Sequence, residues 1–215
     1  IYDDGPFEIV EASVIDMQAA MNAGVTTSVE ITQQYIDRIA AYDRVAQGEG
    51  QRPLNSVVTV GATTALAAAA AADAERAENG LTSMLLGVPI ALKDNYNTLD
   101  MPTTAGCGCW DANQTTTDAT MVEGLRAEGA VILAKASMDE FAVNLSSTFS
   151  AGQAAGSTLD VSSPYNTTRN AGGSSGGTGA SIAANFAALG FGTDTGGSIR
   201  IPSNYNQLVG VRPTV

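Results

Sequence analysis

Two short runs, "LGVPIALKD" at residues 86–94 and "AVILAKA" at 130–136, are apolar almost throughout, and the helical pattern "ATMVEGLRAEGA" lies between them. A strand with one wet face alternates polar and apolar residues, so a run without alternation must be covered on both faces. Strands of that kind separated by helical segments restrict the chain to layered α/β architectures. Other segments agree. Thr27 and Glu30 have the spacing of a capping box ahead of a stripe of Val29, Ile31, Ile36 and Ile39, which predicts a helix toward Arg44. Residues 63–79 predict a second helix, ended by Asn79 and Gly80, and "GTGASIAANFAALG" at 177–190 predicts another, followed by "FGTDTGG" and "LVGVRP". "LNSVVTV" is too short to assign.

Composition decides which chemistry this scaffold can carry. The 215 residues are 44% apolar, enough for a core, and no apolar run reaches the ~18 residues of a membrane span. A net charge of −12 repels phosphate backbones and anionic membrane surfaces, so nucleic acid is not a partner of this chain. There is no histidine, which excludes a Ser-His-Asp triad, a Cys-His dyad and histidine base catalysis within these residues. Cys107 and Cys109 are the only cysteines; a disulfide across one residue would be strained, so two thiols are expected, or one of them paired with another chain, and no metal site.

A serine activated without histidine needs another base, and Lys93 ends an otherwise apolar strand. Burial disfavours an ammonium, and a neutral amine accepts protons. A lysine at a strand end can equally point to solvent or pair with its neighbour Asp94, and Lys135 has nearly the same local pattern. Two glycine-rich elements supply serines: "GGSSGGTGA" around Ser174 and Ser175, and "GTDTGGSIRIP" around Ser198. The first reads as a flexible loop, an anion-binding helix start, or a constrained turn that only glycine permits. No lysine follows any glycine and no Gly-x-Gly-x-x-Gly opens a helix, so nucleotide binding is disfavoured. In the second, successive N–H groups at a glycine turn can converge on a developing oxyanion beside Ser198. Ser198 could instead be an N-cap for "IRIP".

Taken together, "GVPIALKDNYNT", "GGSSGGTGA" and "GFGTDTGGSIRIP", with Ser198 24 positions after Ser174, resemble the amidase signature family. "ALAAAAAADA", "DATMVEGLRAEGAVILAKASMDEFA" and "NQLVGVRPTV" extend the likeness over nearly the whole chain from about Val14. The resemblance implies an α/β/α sandwich around a mixed sheet and a triad of Ser198 as nucleophile, Ser174 as relay after a cis peptide bond, and Lys93 as base. It implies an oxyanion hole from the N–H groups of Thr195, Gly196 and Gly197, joined by that of Ser198. Ser175, Thr193, Asp194 and Arg200 are implied as supporting residues. No metal or organic cofactor is implied.

Family domains are longer than this chain. The expectation is therefore the first part of one amidase domain, with helices at about 14–80 and a catalytic core at about 81–215. The sheet would then be incomplete here, and a further segment or second chain after Val215 would complete it. Ile1 reads as a trimmed start. The expected activity is hydrolysis of a small-molecule amide by a stand-alone enzyme. The rival within the family is the glutamine-hydrolysing A-type component of a tRNA-dependent amidotransferase, although "FSAGQAAGSTLDVSSPYNTT" departs from that component's shorter loop. A catalytically inactive binding protein is the rival of another class, and the presence of Lys93, Ser174 and Ser198 speaks against it. An acidic, cysteine-poor chain suits the cytoplasm, while the start and the sequons at Asn113, Asn144 and Asn166 leave export open.

Overall fold

Thr27 caps the helix that its spacing from Glu30 predicts: its side chain accepts from the Glu30 N–H, and the Glu30 carboxylate accepts from the Thr27 N–H at 2.9 Å. A cap of this kind contributes about 1 kcal/mol. In the computed structural model, which describes residues 6–214, that helix is α2, Ser28–Tyr42. A preceding helix, α1 at Val14–Asn22, starts with its own capping box from Ser13 and Asp16. "LNSVVTV" contains strand β1, Val57–Val60, and the alanine-rich segment is α3, Ala62–Asn79. The expectations attached to Ile1 and Val215 lie outside the described residues.

The two apolar runs are β2, Pro89–Lys93, and β3, Val131–Ala136, joined through α4, Thr120–Ala127. Four short strands follow, β4 (Thr148–Phe149), β5 (Leu159–Asp160), β6 (Ser162–Ser163) and β7 (Asn166–Asn170). They pair β4 with β5 and β6 with β7, so the "FSAGQAAGSTLDVSSPYNTT" segment is an ordered pair of ladders. Then come α5, Gly176–Ala183, β8, Leu189–Phe191, and α6, Arg200–Tyr205. The helix expected to Gly190 therefore stops seven residues early. Asn185 takes a left-handed φ of 55°, tolerated by asparagine, and turns the chain so that Leu189–Phe191 pair as a strand. "LVGVRP" forms no regular element.

The central sheet has the order β1-β3-β2-β8, with β1 antiparallel to β3 and both β3 and β8 parallel to β2. It is the mixed sheet of a layered α/β fold. Side chains of a strand alternate between faces, and β2 shows both faces covered. Ala91 belongs to a cluster with Ile31 and Tyr35 of α2 and Ala65 and Ala69 of α3. Ile90 and Leu92 point the other way, onto Val122 and Leu125 of α4. Both are fully buried, and each contributes roughly 2 kcal/mol relative to exposure.

Parallel strands end together, so the segments that follow β2, β3 and β8 converge on one rim of the sheet. In an open α/β sheet that rim is where ligands bind. Lys93, the last residue of β2, lies opposite Ala136, the last residue of β3.

Candidate active site

Lys93 is fully buried, with neither the solvent exposure nor the Asp94 pairing that its position left open. Its Nζ lies 2.7 Å from Ser174 Oγ, 2.8 Å from Thr193 Oγ1 and 3.5 Å from the Thr193 carbonyl. Asp94 is taken by the other lysine. Lys135 Nζ sits 3.0 Å from Asp94 Oδ1, both side chains fully buried, and donates to Thr103 Oγ1 at 2.8 Å. Two lysines of near-identical sequence context thus end with different partners. One has a carboxylate against it; the other has only hydroxyls and a carbonyl.

Burial lowers the Lys93 ammonium to about 8, with the charges of Asp139 and Asp194 opposing that effect. A neutral amine has two N–H bonds and one lone pair. The arrangement accommodates both, with the N–H bonds toward Thr193 and the lone pair toward the Ser174 hydroxyl.

Ser174 follows a cis peptide bond from Gly173, and its carbonyl accepts from the Asp139 N–H and the Ser147 hydroxyl, each at 3.3 Å. Ser175 ties the two glycine-rich elements together. Its N–H donates to the Ser198 carbonyl at 3.2 Å, and its hydroxyl donates to the Thr193 carbonyl and accepts from the Thr193 N–H.

Asp194 organises the turn before Ser198. Its carboxylate accepts from the N–H groups of Gly197 at 2.7 Å, Ile199 at 3.1 Å and Arg200 at 3.2 Å, and from the Arg200 guanidinium. The Arg200 side chain, then those backbone donors, hold Asp194 well below the usual carboxylate range. Asp194 also serves the start of α6, whose N-cap is Ile199 with no side-chain cap of its own. Ser198 is therefore not the N-cap, and its hydroxyl keeps no protein partner among the described residues. Gly197, at φ 115°, occupies backbone space that only glycine enters freely. Because its N–H is engaged by Asp194, the N–H groups left unpaired at this turn, among the described residues, are those of Thr195, Gly196 and Ser198.

Three residues that sequence reasoning left without a role also lie here. Asn95 Nδ2 donates to Thr193 Oγ1 at 3.1 Å, Tyr96 donates its hydroxyl to the Gly192 carbonyl at 2.7 Å, and Asp139 is buried behind Ser174. Each falls within a segment that carries the family likeness, but none has a local pattern that marks it. The expected thiols are a correction: Cys107 and Cys109 form a disulfide. The one-residue spacing does not prevent it, because Cys107 is extended and Gly108 begins a tight turn, bringing the two Cα atoms to 5.2 Å. Among the described residues no cluster of His, Cys, Asp and Glu could hold a metal, and no helix is long and apolar enough to cross a membrane.

The Amidase family pattern matches residues 30–215. The chain is 44% identical over 207 residues to the A component of the glutamyl-tRNA(Gln) amidotransferase of Thermobifida fusca, covering 96% of this chain and 39% of that protein. The crystal structure of a peptide amidase from Stenotrophomonas maltophilia superposes with a TM-score of 0.82 at 36% identity, over 92% of this chain and 39% of that one. A fatty acid amide hydrolase structure superposes with a TM-score of 0.79 at 27% identity, over 95% of this chain and 34% of that one. The chain thus spans about two-fifths of the length of the relatives it matches.

Proposed function

The chain belongs to the amidase signature family, and we propose that it carries the catalytic residues of an amidohydrolase that cleaves a carboxylic amide through an acyl-serine. The observation that carries this reading is Lys93: a fully buried amine 2.7 Å from Ser174 Oγ with no carboxylate bonded to it. Such a group is a proton acceptor at neutral to mildly alkaline pH.

Ser198 Oγ attacks the amide carbon as its proton passes to Ser174, whose own proton passes to the Lys93 amine. The former carbonyl oxygen becomes an oxyanion, received by the N–H groups of Thr195, Gly196 and Ser198. A donor of this kind is worth about 3 kcal/mol. Gly197 contributes by holding the turn through Asp194. The tetrahedral intermediate collapses with C–N cleavage, and the leaving nitrogen takes the proton back through Ser174. Water then attacks the acyl-Ser198 ester by the same relay and releases the carboxylic acid. The residues of this chain supply every step without a metal or organic cofactor.

A second reading, the glutamine-hydrolysing component of an amidotransferase, is favoured by one observation, the 44% identity to a protein of that name. It differs in substrate and in needing a partner, not in the chemistry at Ser198. Treating the native protein, with any co-purifying chain, with an alkyl fluorophosphonate and mapping the adduct tests the shared chemistry. An adduct on Ser198 that Lys93→Ala abolishes is expected; an adduct elsewhere, or none, rejects it. Release of ammonia from glutamine only with ATP, aminoacylated tRNA and a partner would select the second reading, and turnover of simple amides by the protein alone the first.

A further inference from the structure

Asp139 is a buried acid for which the Ser198–Ser174–Lys93 proton relay has no use. It lies three residues past Ala136, the β3 residue opposite Lys93. Its side chain is fully buried. One carboxylate oxygen, Oδ1, accepts from the Thr148 N–H at 2.9 Å and the Ser146 hydroxyl at 3.3 Å. The other, Oδ2, is buried and has no hydrogen-bond partner among the described residues. An unpaired buried carboxylate oxygen is costly and calls for an explanation. Oδ2 lies directly against the Cα of Gly173, where any Cβ would collide with it. The backbone N–H of Asp139 holds the Ser174 carbonyl, while Lys93 Nζ holds the Ser174 hydroxyl. Asp139 through its backbone N–H and Lys93 through its amine therefore hold the same residue from two sides, and the Asp139 carboxylate packs against the residue before it.

We infer that Asp139 is a positioning residue for Lys93: its carboxylate is the counter-charge that receives the ammonium formed when the Ser198 proton arrives. The inference rests on the proposed hydrolytic reading. An amine that becomes charged while buried is favoured by a fixed negative charge nearby, and proton transfer to it is slower without one. The neighbouring charges leave this task to Asp139. Asp94 is neutralised by Lys135 and Asp194 by Arg200, and Glu140 is bonded to Ser150. Tyr96, the other ionisable group on this rim, is bonded through its hydroxyl to the Gly192 carbonyl. Asp139 has a buried oxygen with neither a hydrogen-bond donor nor a cation at ion-pair distance among the described residues, whereas the bare Asp94 oxygen faces Lys135. Its charge also opposes the effect of burial on Lys93, more than Asp194 does.

The test is the pH dependence of Ser198 labelling by an alkyl fluorophosphonate in the full protein and in Asp139→Asn. Labelling forms the Ser198 O–P bond and expels fluoride, and the serine proton moves through Ser174 to Lys93, so its rate reports the free-base fraction of Lys93. In the parent the rate should rise through a midpoint near 8. In Asp139→Asn the midpoint should fall by about one pH unit, and the limiting rate at high pH should drop by about tenfold. Asp139→Ser, smaller and uncharged, is the second variant if the amide does not fold. A midpoint that stays in place while the melting temperature falls would make Asp139 merely structural and overturn the inference. So would failure of both variants to fold. An unlabelled parent would instead reject the hydrolytic reading itself.

Discussion

Replacing Lys135 and Lys93 separately by methionine separates a structural lysine from a chemical one that looks the same in sequence. Lys135→Met leaves Asp94 fully buried, with Thr104 as its remaining side-chain donor. Removing one partner of a buried ion pair costs about 3–5 kcal/mol. At roughly 2–4 °C per kcal/mol for a domain of this size, melting should fall by about 10 °C. Burial already pushes the Asp94 carboxyl up, and Lys135 is the main influence opposing it, so the variant raises it further. A carboxyl raised in the folded state favours folding at low pH and loses that contribution as pH rises through its folded value. The deficit of Lys135→Met should therefore be smaller at pH 5 than at pH 8. Lys93→Met strands no carboxylate bonded to the amine. It gives up contacts with two hydroxyls, worth about 1 kcal/mol each. It also removes a buried amine whose depression from 10.5 to about 8 costs the folded state on the order of 3 kcal/mol at neutral pH. The net change should be within a few degrees of the parent. Thermal melts across pH 5–9, paired with Ser198 labelling at 20 °C, read both quantities. Lys135→Met should label while folded, and Lys93→Met should be folded and unlabelled. Equal losses of stability in the two variants would refute the division between them.

Other outcomes follow from the same geometry. The Lys93 amine has a folded value below its unfolded one, so the parent should gain stability relative to Lys93→Met as pH rises from about 8 toward 10.5, read as a rise in the parent's melting temperature relative to the variant's. Asp194→Asn should slow Ser198 labelling by at least about a hundredfold without touching the triad, because it frees Gly197, Ile199 and Arg200 at once. Equal labelling rates would show that the turn holds itself. Thiol titration of the unreduced native protein should find no free cysteine, and two after reduction and unfolding; two before reduction would contradict the pairing.

The layered α/β class, the helix starting after Thr27 and both central strands were legible in sequence, because apolar periodicity and capping chemistry are local properties. The three proposed catalytic positions came from the family resemblance of three segments taken together, since each local pattern alone fits other roles. The strand at Leu189–Phe191 was not legible. Its residues continue a helical composition, and only pairing with Ile90–Leu92 makes them extended. The roles of the two lysines were equally hidden: each ends an apolar run, and which of them meets Asp94 depends on where the chain returns after β2. The disulfide turned on a backbone turn that spacing does not specify. The buried Asp139 took its meaning from Gly173, 34 residues away in sequence and directly against it in space. Sequence by itself determined which residues could do chemistry and which segments must be covered. The tertiary structure decided which charges are neutralised, because pairing and desolvation are set by distance through space and not along the chain.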